Sequence, residues 1–401
     1  MPDVIVIGGG VVGTTAAWQI AAAGAEVVLL ERGALASGAT GKSQGLVLPP
    51  DHEELVPLWR ESLALYSRLA DVREFGFDRE PIGTLLLATD GTQLAALDAV
   101  PHAGERLDAA GVAAEEPGLA PGMAGGLLLA EGRRSDPGAL TAAAAAEARA
   151  AGAEISDHVE VKRLLRGGVV TDAGRIDAPV VVLAAGAWSR PLARMLGHEL
   201  EVRPVRGWIA LVAPGPQVLR HAVYEAEYTT AEPPVPGGPV TLAELGAGDL
   251  AERGAPPVHA LGIHQNADGT VVVGASRSAA LHDGAESLAG LQGNARRACA
   301  MVPGIARREV AATWTGLRPF SHDGLPYIGQ LDEGLVVCAG HGSEGILTGA
   351  GSGRLAAELA LGRLPFTEPG PFRPDRGQTA DRAPRRIAST GAARPVRSSN
   401  A

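Results

Sequence analysis

Cysteine is nearly missing: Cys299 and Cys338 are the two thiols in 401 residues. That is too few for a disulfide framework or a cysteine zinc site, so both are expected to be reduced and buried. Aromatic residues make up 3% of the chain, which gives each Trp and Tyr position more weight than usual. A basic face is missing too. The formal charge is −10, which argues against nucleic acid as a partner, because phosphate contacts need clustered Lys and Arg. The histidines show neither HxxxH nor HxH spacing, so no metal is expected. Without a GxSxG, the commonest hydrolase signature is lacking. No apolar run is long enough to cross a bilayer; the alanine-rich stretch 139–151 is short and contains Glu147 and Arg149. Met1 leads almost directly into the apolar VIVIG with no charged n-region or cleavage site. A cytoplasmic protein without membrane insertion is therefore expected.

What is present begins as a βαβ unit. VIVIG reads as a short buried strand, residues 8–13 as a glycine-rich turn and 12–23 as a helix of small and apolar residues. Gly24 stops that helix, and EVVLLE is a second strand ending at Glu31. Alternating strands and helices imply a parallel sheet with right-handed crossovers. The uninterrupted apolar PVVVLAAGAWS fits a strand covered on both faces. From residue 200 to about 318 the pattern changes to antiparallel strands, with NADG as a hairpin turn. Residues 230–257 form a Pro/Gly/Ala/Glu insertion read as a long surface loop. After Gly324 the α/β pattern returns, with LPYIG, GLVVCAG and a helix expected at 353–361. The chain from about 369 onward has no apolar periodicity and reads as a disordered tail.

Gly8, Gly10 and Gly13 make a GxGxxG directly after a strand and at the start of a helix. The first glycine permits the tight turn, the second lets a pyrophosphate reach the backbone, and the third lets strand and helix pack closely. The helix N-terminus offers free N–H groups and a positive dipole end to phosphates. Glu31 stands about twenty residues on, where a carboxylate accepts from ribose hydroxyls. An adenine dinucleotide follows. The second strand then runs into SGATGKSQG, a small-residue turn that suits a second phosphate and ribitol approach. That favours FAD over NAD.

VIVIGGGVVG, LLERG, SGATGKSQG, VVVLAAGAWS, PVRG, WTGLRPFSHDGLPYIG and AGHGSEGI occur in this order, and together they resemble the D-amino-acid oxidase superfamily of FAD enzymes, glycine oxidase and sarcosine oxidase-like members in particular. The resemblance covers about residues 2–367. It implies an α/β fold: a discontinuous Rossmann-like FAD-binding domain (1–50, 140–195 and 320–367) and a substrate domain with a largely antiparallel sheet (51–139 and 196–319). It sets Val11 and Val12 beside the pyrophosphate and Glu31 and Arg32 at the ribose end. Ala39, Thr40, Gln44, Gly45 and Leu46 follow the middle of FAD, and Val159 meets the adenine through its backbone. Gly186 belongs to the same cofactor set. His341, Gly342, Ser343, Glu344, Gly345, Ile346 and Leu347 wrap the flavin ring, with His341 a contact rather than a base. Cys338 falls on an apolar strand, which argues against a tethered flavin.

The same resemblance puts the substrate carboxylate on Arg318. The residue type agrees, since a guanidinium is a rigid fork that pairs with a carboxylate through two charge-assisted bonds. Tyr224 and Tyr228 are two of four tyrosines and share one face if they lie on a strand, which fits a substrate cover. Trp188 and Trp208 read as packing. One departure stands out. Many glycine oxidases carry an arginine in the AGHGSEGI loop that helps bind the carboxylate, whereas this chain has Ser343 followed by Glu344. A carboxylate there repels a substrate carboxylate unless protonated or paired. Glu344 is therefore expected either to face away or to meet a cationic part of a larger, opine-like or basic substrate. The expected reaction is oxidation of a small amino acid or secondary amine to an imine, with dioxygen as electron acceptor and hydrogen peroxide as product. The alternative is a dehydrogenase that passes electrons to a partner subunit or quinone. Substrate identity and any homo-oligomer are left open.

Overall fold

The computed structural model describes residues 1–98, 100, 102–226, 261–274, 276–279 and 288–376. Two large sheets organise them. The first has six strands in the order Tyr327–Asp332, Leu335–Ala339, Val180–Leu183, Val4–Ile7, Val27–Leu30, Glu154–Ser156. All neighbours run parallel except Tyr327–Asp332, which pairs antiparallel with Leu335–Ala339. The central strand explains the apolar runs. Val4 and Val6 join the core under the helices, while Ile5 and Ile7 join the core on the opposite face. A strand buried on both sides has no polar position to alternate with.

Three helices cover the first of those faces: Val11–Ala22, Pro137–Ala150 and Gly345–Ala360. The last begins at Gly345, well before the 353–361 expected from sequence. Its glycines hid it. A Cβ at Gly349 would press on Val11 at 2.7 Å, and Cβ atoms at Gly351 and Gly353 would overlap or crowd the carbonyl oxygens of Leu58 and Val12. Glycine costs helix propensity, but here it lets this helix cross Val11–Ala22 and the helix Val56–Val72 backbone to backbone.

The second sheet has nine strands among the described residues. Its longest pairing joins Arg203–Val212 antiparallel to Val310–Phe320, with Arg206 opposite Leu317 and Gly207 opposite Gly316. Gly262–Gln265 and Val271–Gly274 form the expected hairpin across NADG, with Gly269 at φ +85°. Thr84–Ala88 joins this sheet beside Ala222–Glu225 in a parallel pair. The helix Leu288–Met301 interrupts the run of strands expected for 200–318. Asn294 on it donates to the Trp208 carbonyl at 3.0 Å. Its two glycines and weak apolar periodicity left no clear helical signature.

The tail expected from residue 369 is packed over its first turn. Phe372 is 1% exposed within the helical core. Arg376 grips Asp323 with two bonds of 2.7 and 2.9 Å and lies 3.9 Å from the Tyr327 ring centroid. One aromatic and one arginine anchor a segment whose composition suggested disorder. Residues 377–401 and the insertion 230–257 lie outside the described residues. No helix among the described residues is long and apolar enough to cross a membrane.

Candidate active site

The glycine-rich turn bends at Gly8, where φ is +114° and a Cβ would overlap the Ala184 carbonyl. A side chain is thus excluded twice, by conformation and by space. Gly13 sits one turn into the helix, and its absent Cβ makes room for the Gly8 carbonyl. The helix that follows has no acidic residue in its first turn and no side-chain cap. Its N-terminal field stays uncompensated and open to an anion. Val11 N–H points to Thr40 Oγ1 at 3.2 Å, which brings the SGATGKSQG loop onto the same turn.

Glu31 follows the second strand and is held from both sides. One carboxylate oxygen accepts from Gly9 N–H at 2.7 Å and the other from Gly33 N–H at 2.8 Å. A carboxylate has about four lone-pair sites, so capacity remains for a ligand. Val159 N–H donates to the Glu31 carbonyl at 2.8 Å, placing Val159 directly beside it. The Arg32 guanidinium lies 3.6 Å over the Trp188 ring, so Trp188 is a cation–π partner as well as packing.

These groups border one continuous cavity of about 440 Å³. It is lined by Val159 and Met195, by Gly8, Gly10, Val11, Val12, Glu31, Arg32 and Gly186, and by Ala39, Thr40, Gln44, Gly45 and Leu46. Arg318, Tyr224 and the residues from His341 to Leu347 line it too. Of the residues singled out from sequence, Gly13 is not on the wall, because it packs behind the turn. Tyr228 lies outside the described residues.

Around Arg318 and His341, backbone pairing sets the geometry. Phe320 and His341 form an antiparallel bridge, and Gly342 N–H donates to the Pro319 carbonyl at 2.8 Å. Gly342 takes φ +54° there. His341 is 4% exposed, and its Nε2 has no hydrogen-bond partner among the described residues. Burial pulls its pKa down to about 4, so the ring is neutral at ordinary pH. Glu344 caps the following helix through its backbone: its N–H donates to the His341 carbonyl at 2.8 Å, and its carbonyl accepts from Thr348. Cys338 also touches the cavity, its thiol pushed up by burial and therefore protonated. A protonated thiol is a poor nucleophile.

Arg318 is half-buried on Val310–Phe320 and lies across Gly207, where any side chain would overlap the guanidinium. Its Nη1 donates to the Ser276 carbonyl at 3.3 Å. Tyr224 is 3% exposed and donates its hydroxyl to Gln44 Oε1 at 3.2 Å, while Gln44 Nε2 donates to the Gly262 carbonyl at 2.8 Å. Gln44 thus joins the SGATGKSQG loop to the second sheet. Sequence reasoning missed Lys42, which lies within SGATGKSQG but was not singled out, and Asp51 and His102, which border the cavity from segments without a motif. It also missed Arg277, which is 3% exposed and donates to Ser343 Oγ at 3.4 Å. A lone arginine after the apolar TVVVGAS was the available signal.

A family model described as FAD dependent oxidoreductase, DAO, matches residues 3–359. A glycine oxidase of Geobacillus kaustophilus (strain HTA426) is 31% identical over 380 residues, covering 89% of this chain and 92% of that protein. A D-amino acid dehydrogenase of Cereibacter sphaeroides is 29% identical, covering 95% of this chain and 97% of that protein. Among solved structures, a glycine oxidase from Geobacillus kaustophilus superimposes with a TM-score of 0.78 at 26% identity, over 93% of this chain and 98% of the other.

Proposed function

Because the chain belongs to the DAO family of FAD dependent oxidoreductases, we propose that it oxidises a small amino acid or secondary amine whose carboxylate rests on Arg318. The chain is an FAD enzyme acting on amines or amino acids. Its cavity fits that cofactor, because glycines stand where Cβ atoms would overlap backbone or crowd Thr40. Gly8, Gly10, Val11 and Val12 hold the pyrophosphate, Glu31 and Arg32 the ribose side, Val159 and Gly186 the adenine half. Ala39, Thr40, Gly45 and Leu46 line the middle, and the residues from His341 to Leu347 carry the flavin ring. When bound, FAD supplies a hydride acceptor for the carbon next to the substrate nitrogen.

The observation that carries the substrate reading is Arg318. It lies on the strand that pairs with the His341 loop, and its guanidinium borders the same cavity. A carboxylate held there fixes the reacting carbon at a set distance from the loop. Tyr224, oriented by Gln44, borders the same cavity and is the proposed substrate cover. His341 is neutral, so its ring neither repels a neutral amine nor serves as a strong base. The imine is hydrolysed by water to an oxo acid and an amine. The two electrons and two protons removed from the substrate leave with dioxygen as hydrogen peroxide. A second reading, transfer to another acceptor, is supported by the likeness to a D-amino acid dehydrogenase.

The test is anaerobic mixing with amines and with D- and L-amino acids, following the oxidised-flavin absorbance. Bleaching by carboxylate-bearing amines is expected, and peroxide on admitting air. No bleaching by any of them would defeat the amine reading. Bleaching with slow reoxidation in air, but fast reduction of an artificial acceptor, would select the dehydrogenase.

A further inference from the structure

Arg318 is not alone at its end of the cavity. The Phe320–His341 bridge and the Gly342-to-Pro319 hydrogen bond bring the start of the His341 loop beside the end of the Arg318 strand. Arg318 Nη1 reaches the Ser276 carbonyl at 3.3 Å, and the next residue, Arg277, donates Nη2 to Ser343 Oγ at 3.4 Å. Arg318 and Ser343 are therefore linked through Ser276 and Arg277 into one frame. Strand register also sets Arg277 near Arg318. Arg206 pairs with Ser278, so one step further Arg277 falls opposite Gly207, the glycine beneath the Arg318 guanidinium.

A guanidinium can only donate. Ser343 Oγ must use a lone pair on Arg277, which leaves its own O–H to donate elsewhere, and no hydrogen bond from it is made to a described residue. Ser343 borders the cavity while Arg277 is 3% exposed behind it. We propose that Arg277 turns and polarises the Ser343 hydroxyl, making it the second donor to a carboxylate held beside Arg318. Arg277 is then a positioning residue, and a hydroxyl polarised by a cation gives a stronger bond to an anion than a free one. The site selects amines carrying a carboxylate next to the reacting carbon. This rests on the amino-acid reading above.

Acetate is the probe, its affinity for the FAD-bound protein read from the change it causes in the flavin spectrum. Ser343→Ala is expected to weaken acetate about tenfold, the loss of one hydrogen bond to a charged group. Arg277→Gln is expected to do the same, and the double variant no worse than either single change. KM for a carboxylate-bearing substrate should rise in parallel, while that for a carboxylate-free amine stays put. Unchanged acetate affinity in Ser343→Ala overturns the proposal, including where that variant shifts the flavin spectrum without ligand, since Ser343 would then face the cofactor. A further loss from Arg277→Gln in the Ser343→Ala background overturns it as well. If Arg277→Gln does not accumulate, Ser343→Ala decides alone. Acetate binding as expected without reduction by any amine would leave this frame standing and sink the amine-oxidation reading instead.

Discussion

Tyr66, fully buried in the helix Val56–Val72, donates its hydroxyl to the Ile346 carbonyl at 2.7 Å. Ile346 is in the first turn of the helix that begins in the glycine-rich loop. A helix from one part of the chain thereby pins the start of another at the cavity wall. Tyr66→Phe keeps the ring and removes this bond. A loss of about 1 kcal/mol in unfolding free energy is expected by denaturant titration, and no loss would mean the bond is not made in solution.

Arg318→Ala should raise KM for carboxylate substrates about 30-fold or more, because a desolvated charge pair loses one partner. Arg318→Lys keeps the charge without the fork and should recover only part of that. Equal kinetics in all three proteins would remove Arg318 from the site.

Gly13→Ala forces a methyl group into the Gly8 carbonyl. Overpacking of this kind costs about 1–3 kcal/mol, and here the strain falls on the turn proposed to hold the pyrophosphate. FAD affinity, followed by flavin fluorescence during titration of the stripped protein, should drop roughly ten- to hundredfold.

Two buried histidines set an acid limit. His341 and His264 are both pushed down to about 4 by burial, with the Arg134 charge adding to the effect at His264. Each binds a proton more readily unfolded than folded, so stability is full above the unfolded pKa of about 6.5 and falls as pH drops toward 4. The loss approaches about 3 kcal/mol per histidine. Denaturation measured at stepped pH should show this slope, and His264→Gln should flatten part of it. A flat wild-type profile across that window would contradict it.

Phe372→Ala should destabilise by about 3–5 kcal/mol, the usual cost of emptying a buried aromatic site. Arg376→Ala should release Asp323: burial alone would raise that carboxyl, and the bonds to Arg376 more than offset it, holding it below its ordinary value. An unchanged denaturation midpoint in Phe372→Ala would detach residues 369–376 from the core.

The nucleotide half was legible because its signals are local. A strand, three glycines and Glu31 within one βαβ unit report a shape that backbone sterics dictate. The second sheet was legible as strands, but not the helix Leu288–Met301, whose glycines obscure the period. The same property misplaced the start of Gly345–Ala360, where glycine records close helix crossing, not a loop. Arg277 was passed over for a different reason. Its importance lies in reaching Ser343, 66 residues away in the chain, and no local pattern encodes such a contact. Ser343 read as a deficit of positive charge. The fold brings one to it from a neighbouring strand.

The bridge between Phe320 and His341 ties the Arg318 strand to the cavity-lining His341 loop by main chain alone. The span between the two is thus a fixed ruler of peptide units, indifferent to which side chains decorate it. Residues such as Ser343 can be exchanged to suit another molecule without altering that span, so the selectivity of this cavity can drift while its reach stays constant.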